Sequence, residues 1–252
     1  MRITLGAADA ILDKNGFIRI GKSIINPKRW SLRRVFTDDF EQGGRFYGWW
    51  QNLPKKRRAN LHINGQSVFE NDFPTLHPRL LFALSGRDPR IEDKSSDAYA
   101  IPNIPRVIAK RAVNIMLNAR TPRAGWLALV KKIEEARAGG FGEQVAEELC
   151  QLDQSPPAIA QRTISAIDVR LPELRPYWGT GIGLRMQRVD ASMASDIMRD
   201  LRRQGIPALC IHDSFIVPAS ADRTLITLME KTLHRTCQLL ARRGLREDKL
   251  NH

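Results

Sequence analysis

The sequence predicts an α+β fold, and three observations carry that expectation. Two short apolar runs, 208–211 and 215–217, flank the polar triplet His212-Asp213-Ser214, the pattern of two buried strands joined by a tight turn. A second hairpin pattern spans residues 61–73, with Asn64-Gly65 as a turn of the primed type. Stretches with apolar residues at helical spacing surround both, chiefly 105–120, 184–204 and 220–243. An ionisable Asp213 at the tip of a buried hairpin is costly unless something pairs with it, and a metal ion is the obvious candidate.

Composition narrows the partners. The chain has 252 residues, room for one large domain or two small ones, and an apolar fraction of 42%, enough for a real core. Lys and Arg number 40 against 27 Asp and Glu, a net charge of +13 that predicts attraction to polyanions, nucleic acid first. A merely solvated basic surface is the plain alternative. No long basic amphipathic helix points to a membrane surface. Cys150, Cys210 and Cys237 form neither a CxxC pair nor a Cys/His cluster, which argues against a disulfide framework or a structural zinc and suits a reducing cytosol. The N-terminal stretch carries charges and does not read as a signal peptide, and no run of about 18 apolar residues exists to span a membrane. A cytoplasmic location is expected.

In order along the chain, residues 17–25 suit a short strand with Gly16 and Gly21 as breakers, and 26–34, with Pro27, Trp30 and four cations, a surface segment. That segment either touches a phosphate or docks a loop through Trp30. Residues 43–54, GGRFYGWWQNLP, join two glycines, Arg45 and four aromatics. They suit a nucleic-acid groove or, equally, a Gly-rich turn followed by core aromatics. Lys55, Lys56, Arg57 and Arg58 are a solvated loop or a phosphate clamp. In the second strand of the 61–73 hairpin, Glu70 and Asp72 share a face because side chains alternate.

Pro74 suits the first turn of a helix that Gly86 ends, so Asp72 stands where a strand meets a helix. Residues 86–104 suit a loop. Pro105 starts a helix on which Arg106, Lys110 and Asn114 recur every four residues, a stripe that would grip a triphosphate or simply meet solvent. Residues 123–150 suit helix broken at Gly139-Gly140. Ser155-Pro156-Pro157 opens another helix, 175–183 is expected as a loop, and the methionines of 184–204 suit core filling. A tail after Gly244 is expected to fray.

Two carboxylates distant in sequence, Asp72 and Asp213, would suit a pair of Mg²⁺ ions, which take hard oxygen ligands and serve phosphoryl transfer. In this light the order of motifs resembles the polymerase core of family A DNA polymerases, the bacterial DNA polymerase I type, and of the related phage-type single-subunit RNA polymerases. GGRF at 43–46 and QNLP at 51–54 are similar to the family's TGRLSS…LQNIP stretch, with a shorter gap. DFPTLHPR at 72–79 resembles motif A, DYSQIELR, in Asp72, the apolar residue at +4 and Arg79. Arg106 and Lys110 keep the R-x3-K spacing of motif B, and KRAVNIML at 110–117 is similar to the RNA-polymerase form. His212-Asp213-Ser214 matches the HDS form of motif C, and ASDIM at 194–198 resembles the AADII that precedes it.

The resemblance implies an α+β, palm-like antiparallel sheet with packed helices, reduced fingers and little or no thumb. It implies Asp72 and Asp213 as catalytic metal ligands, with the Phe73 carbonyl as a third, and Mg²⁺, or Mn²⁺ in its place. Arg106 and Lys110 would contact the incoming triphosphate, with His77, Asn114 and Asn118 also at the nucleotide. Arg45, Gln51 and Arg79 would face primer–template, together with Lys55, Lys56, Arg57 and Arg58, and His212 would support the primer end. His77 replaces the Glu that checks the sugar 2′ position, Asn118 and Ala119 replace the motif B aromatic-Gly pair, and Ser214 replaces a second motif C acid. Glu70 is a candidate to make up that acid.

The segments implied are 1–42, an N-terminal segment; 43–85, palm with motif A; 86–150, reduced fingers with motif B; and 151–252, palm with motif C and a C-terminal helix. The function expected is a template-dependent DNA polymerase, serving replication or repair, that extends a primer 3′ end and releases pyrophosphate. The short stretch before Asp72 leaves little for a thumb, so low processivity is expected. An RNA polymerase, a primase or an untemplated terminal transferase is the alternative, and a catalytically inactive palm that only binds nucleic acid is another.

Overall fold

The computed structural model describes residues 18–20, 23–24, 32–37, 40–86, 97 and 99–250. In chain order the strands and helices are β1 (Ile18–Ile20), β2 (Ser23–Ile24), β3 (Arg33–Phe36), β4 (Gly43–Tyr47), α1 (Lys55–Arg58), β5 (Leu61–Ile63), β6 (Gln66–Asp72), α2 (Leu76–Leu84), α3 (Arg106–Asn118), α4 (Pro122–Glu135), α5 (Glu143–Cys150), α6 (Pro156–Arg170), α7 (Ile182–Arg203), β7 (Leu209–Ile211), β8 (Ser214–Pro218) and α8 (Asp222–Leu250). The fold is α+β, with antiparallel pairing wherever strands meet. None of the described helices is long and apolar enough to cross a membrane.

The chain divides into two compact units, one of residues 1–76 and 185–239, the other of 77–184 and 240–252. These boundaries differ from the expected segments, since 151–184 joins the unit that holds α3.

The first unit holds all the strands among the described residues. A six-stranded sheet runs β2-β1-β5-β6-β8-β7, and β3 and β4 form a separate pair. Strand β5 alternates, with Leu61 and Ile63 buried and His62 exposed. The turn from β5 to β6 is the expected one: Asn64 and Gly65 both take positive φ, 55° and 78°. Strand β8 is buried along its whole length, which explains its unbroken apolar run. On β6 the odd positions face α8, where Asn71 Nδ2 meets Met229 Sδ at 3.5 Å, and the even positions, Glu70 and Asp72, share the other face.

The second unit is helical. α4 and α6 pack together and both pack on α3, with Ile108, Leu117, Leu129, Ile133 and Ile159 fully buried between them. Thr121 and Ser155 cap α4 and α6 through their side chains. The break at Gly139-Gly140 is present, with Gly139 at φ 86°.

Several local expectations are corrected. Residues 17–25 hold two paired strands, β1 and β2, rather than one. Residues 33–36 and 43–47 are paired strands, so Arg33 and Arg34 of the expected surface segment 26–34, and the glycines of the expected turn, lie in strands. α2 starts at Leu76 rather than Pro74, because Thr75 takes a left-handed φ of 49°. Part of 175–183 belongs to a 3-10 turn, Pro172–Tyr177. Gly244 does not end α8, which runs to Leu250. The reading of Pro27 and Trp30 lies outside the described residues, as does most of 87–98.

Candidate metal and nucleic-acid site

The site starts from the β7–β8 hairpin. Leu209 pairs with Ile216, Cys210 with Phe215 and Ile211 with Ser214, leaving His212 and Asp213 as a two-residue turn. His212 takes a left-handed φ of 58°, a conformation more open to His, Asn and Asp than to bulkier residues. Strand β6 then pairs with β8 through five successive partners, from Val68 opposite Pro218 to Asp72 opposite Ser214. One step further, the Phe73 N–H donates to the Asp213 carbonyl at 3.2 Å. Two residues 141 positions apart are thereby held next to one another at the end of the sheet. Asp72 is exposed and Asp213 half-buried.

Glu70, on the same face as Asp72, is committed elsewhere. Its carboxylate accepts from Arg58 Nε at 3.1 Å and Nη2 at 2.7 Å, and from the Ser214 hydroxyl at 3.3 Å. Arg58 also donates to the Leu53 carbonyl and is only 14% exposed. It therefore turns inward, apart from the exposed Lys55, Lys56 and Arg57. This departs from the expected contact of Arg58 with nucleic acid. The expected loop is a single helical turn, α1.

The GGRF and QNLP stretches brace the hairpin from the side. Gly43 and Gly44 take φ of 73° and 76°, and a Cβ on Gly44 would lie 2.5 Å from Phe36 Cε1. Phe46 and Trp50 are core residues, at 1% and 2% exposure. Trp50 Nε1 and Gln51 Nε2 both donate to the Cys210 carbonyl, at 2.8 and 3.0 Å, and Gln51 also donates to the Phe46 carbonyl. Arg45 donates from Nε and Nη2 to Asp190, a fully buried acid on α7. Arg45 and Gln51, expected at primer–template, thus hold the protein's own groups.

His212 is bounded by these residues. Its ring meets Tyr47 edge to face at 5.5 Å between centroids, and its Nδ1 is buried with no hydrogen-bond partner among the described residues. Burial holds the imidazole below its ordinary pKa, and the nearby Arg45 charge adds to this. Burial likewise pushes the Cys210 thiol up, so it stays protonated.

The second unit carries the remaining candidates. Arg106, Lys110, Asn114 and Asn118 are all exposed along one stripe of α3, as their spacing predicts. Arg106 is paired with Asp97, and its guanidinium lies 5.6 Å from the Tyr99 ring centroid. That contact holds the Asp97 carboxyl below its ordinary pKa. Asn118 Nδ2 donates to the Asn114 carbonyl at 2.7 Å. His77 and Arg79 are half-buried on α2, and Arg79 Nε has no hydrogen-bond partner among the described residues.

Asp190 and Tyr47 are the residues that sequence reading missed. Asp190 left a signal: it falls at helical spacing among Met186, Met193 and Ile197, all buried, and an acid on a core-facing stripe requires a cation. For a metal, Asp72 and Asp213 offer hard oxygen donors that fit Mg²⁺ or Mn²⁺. Among the described residues no three His, Cys, Asp or Glu side chains cluster as a metal site. Compared with known proteins, the chain matches no family model, and no curated protein is similar enough to count as a match.

Proposed function

We propose that the chain is a metal-dependent nucleotidyltransferase with a polymerase palm-like first unit, extending a primer 3′ end on a DNA template. The observation that carries this reading is the β6–β8 register, which sets Asp72 and Asp213 side by side at the end of an antiparallel sheet. Asp72, Asp213 and the Phe73 carbonyl would hold Mg²⁺. When bound, the metal would make the 3′ hydroxyl a better nucleophile and stabilise the leaving phosphates. Lys55, Lys56 and Arg57, exposed together on α1, are assigned to strand phosphates. Arg106 and Lys110 are assigned to the phosphates of the nucleotide. His212, neutral near pH 7, is a neighbour suited to a primer sugar rather than to a phosphate.

Labelled primer–template with Mg²⁺ or Mn²⁺, and either dNTPs or NTPs, tests the reading. Extension by the intact chain that is lost in Asp213→Ala supports it. Extension that survives Asp213→Ala removes the metal assignment. Under single-encounter conditions products of a few additions are expected, and long products would refute low processivity.

The commitment of Glu70 to Arg58 favours a second reading, a palm that binds nucleic acid without catalysis, because it occupies the acid that shares a strand face with Asp72. Binding of primer–template with no extension under any of these conditions would select it.

A further inference from the structure

The hairpin of β3 and β4 carries a surface that the roles above leave unused. Arg33 is the cross-strand partner of Tyr47, and Val35 that of Arg45, so these four side chains share one face. Arg45 turns to Asp190. The other three remain open: Val35 is 50% and Tyr47 37% exposed, and Arg33 is exposed as well. Large apolar groups held in water beside a cation indicate a partner with both an apolar face and a negative charge.

The position of this strip says which partner. The Tyr47 ring is fixed edge to face against His212, the residue before Asp213. Trp50 and Gln51 tie the turn that follows β4 to Cys210. The aromatic ring is therefore rigidly placed one residue from a candidate metal ligand. A nucleic-acid strand end offers what this strip lacks: a base with a π-face for Tyr47 and Val35, and a phosphate for Arg33.

We infer that Tyr47, with Val35 and Arg33, is the seat of the strand's terminal base, Tyr47 stacking on it and Arg33 meeting the adjacent phosphate. This rests on the nucleotidyltransferase reading for the identity of the strand as a primer.

Direct binding tests it without requiring turnover. A fluorescein-labelled primer–template is titrated by anisotropy with the full chain, Tyr47→Ala and Tyr47→Phe. Binding about tenfold weaker in Tyr47→Ala is expected, with Tyr47→Phe within about twofold of the intact chain, since base–aromatic stacking survives loss of the hydroxyl. In parallel, the unaltered protein is irradiated with a primer carrying 5-iodouracil at its 3′ end, and the cross-linked peptide is mapped. A cross-link within β4, at Tyr47, is expected, and this decides the matter should Tyr47→Ala fail to fold. Equal binding by Tyr47→Ala, or a cross-link confined to other elements while the chain binds and extends primer, overturns the inference alone. No binding of any oligonucleotide by the intact chain overturns both the inference and the reading beneath it.

Discussion

Arg45 and Asp190 stand 145 residues apart, yet two nitrogens of the Arg45 guanidinium meet the Asp190 carboxylate, at 3.0 and 2.5 Å to one oxygen. The Asp190 side chain has no solvent exposure and that of Arg45 has 21%. Removing a cation that neutralises a buried carboxylate leaves that charge away from water with its compensation reduced.

Arg45→Ala is therefore expected to cost about 3 kcal/mol of folding stability. Arg45→Ala combined with Asp190→Ala should cost less than the two single losses added together. Urea denaturation of the single and double variants measures this. A loss in Arg45→Ala below about 1 kcal/mol would show that Asp190 is stabilised mainly by other groups.

Gly44 and Gly65 separate crowding from backbone conformation. Both take positive φ, but a Cβ on Gly44 would meet Phe36 whereas one on Gly65 meets nothing within 4 Å. Gly65→Ala should cost only the left-handed conformation, about 1 kcal/mol, and Gly44→Ala more, as Phe36 must move. Thermal melts of both variants give the comparison.

Replacing Asp72 at the sheet end should affect catalysis and not folding. Asp72 is exposed, so Asp72→Asn is expected to melt within about 0.5 kcal/mol of the intact chain. Primer extension should fall on the order of a hundredfold or more in Asp72→Asn and in Asp213→Asn. Undiminished extension in both would place the chemistry elsewhere.

Asp97 holds Arg106, and a triphosphate would have to displace it. Asp97→Ala should therefore tighten nucleotide binding, by no more than about fivefold because the pair is largely exposed. The Arg106 contact lowers the Asp97 pKa, so the pair is complete above the ordinary carboxylate range and is lost as pH falls through the lowered value. The gain from Asp97→Ala should accordingly persist at neutral pH and vanish in acid. Equilibrium titration with nucleotide at both pH values measures it.

Features that depend on neighbours in sequence were legible. The His212-Asp213 tip, the Asn64-Gly65 turn, the break at Gly139 and the exposed stripe of Arg106, Lys110 and Asn114 all follow from local periodicity and turn chemistry. What escaped depends on distant partners. A cation reads alike whether it faces water or a buried acid, so Arg45 and Arg58 could not be separated from Lys55, Lys56 and Arg57. The β3–β4 pair was hidden because the glycines of β4 read as a turn, although they serve a close approach to Phe36. Gly244 read as a stop, but α8 passes through it.

The five-pair ladder between β6 and β8 has a consequence for insertions and deletions. One residue added between Val68 and Asp72 would send Asp72 to the opposite face of the sheet and expose the apolar side of the strand. The same residue added at Asn64-Gly65 would lengthen a turn at the far end and leave every pair in place. The distance from Val68 to Asp72, and from Asp213 to Pro218, is thus a fixed length in this chain, while the reach of the β5–β6 turn is free to vary.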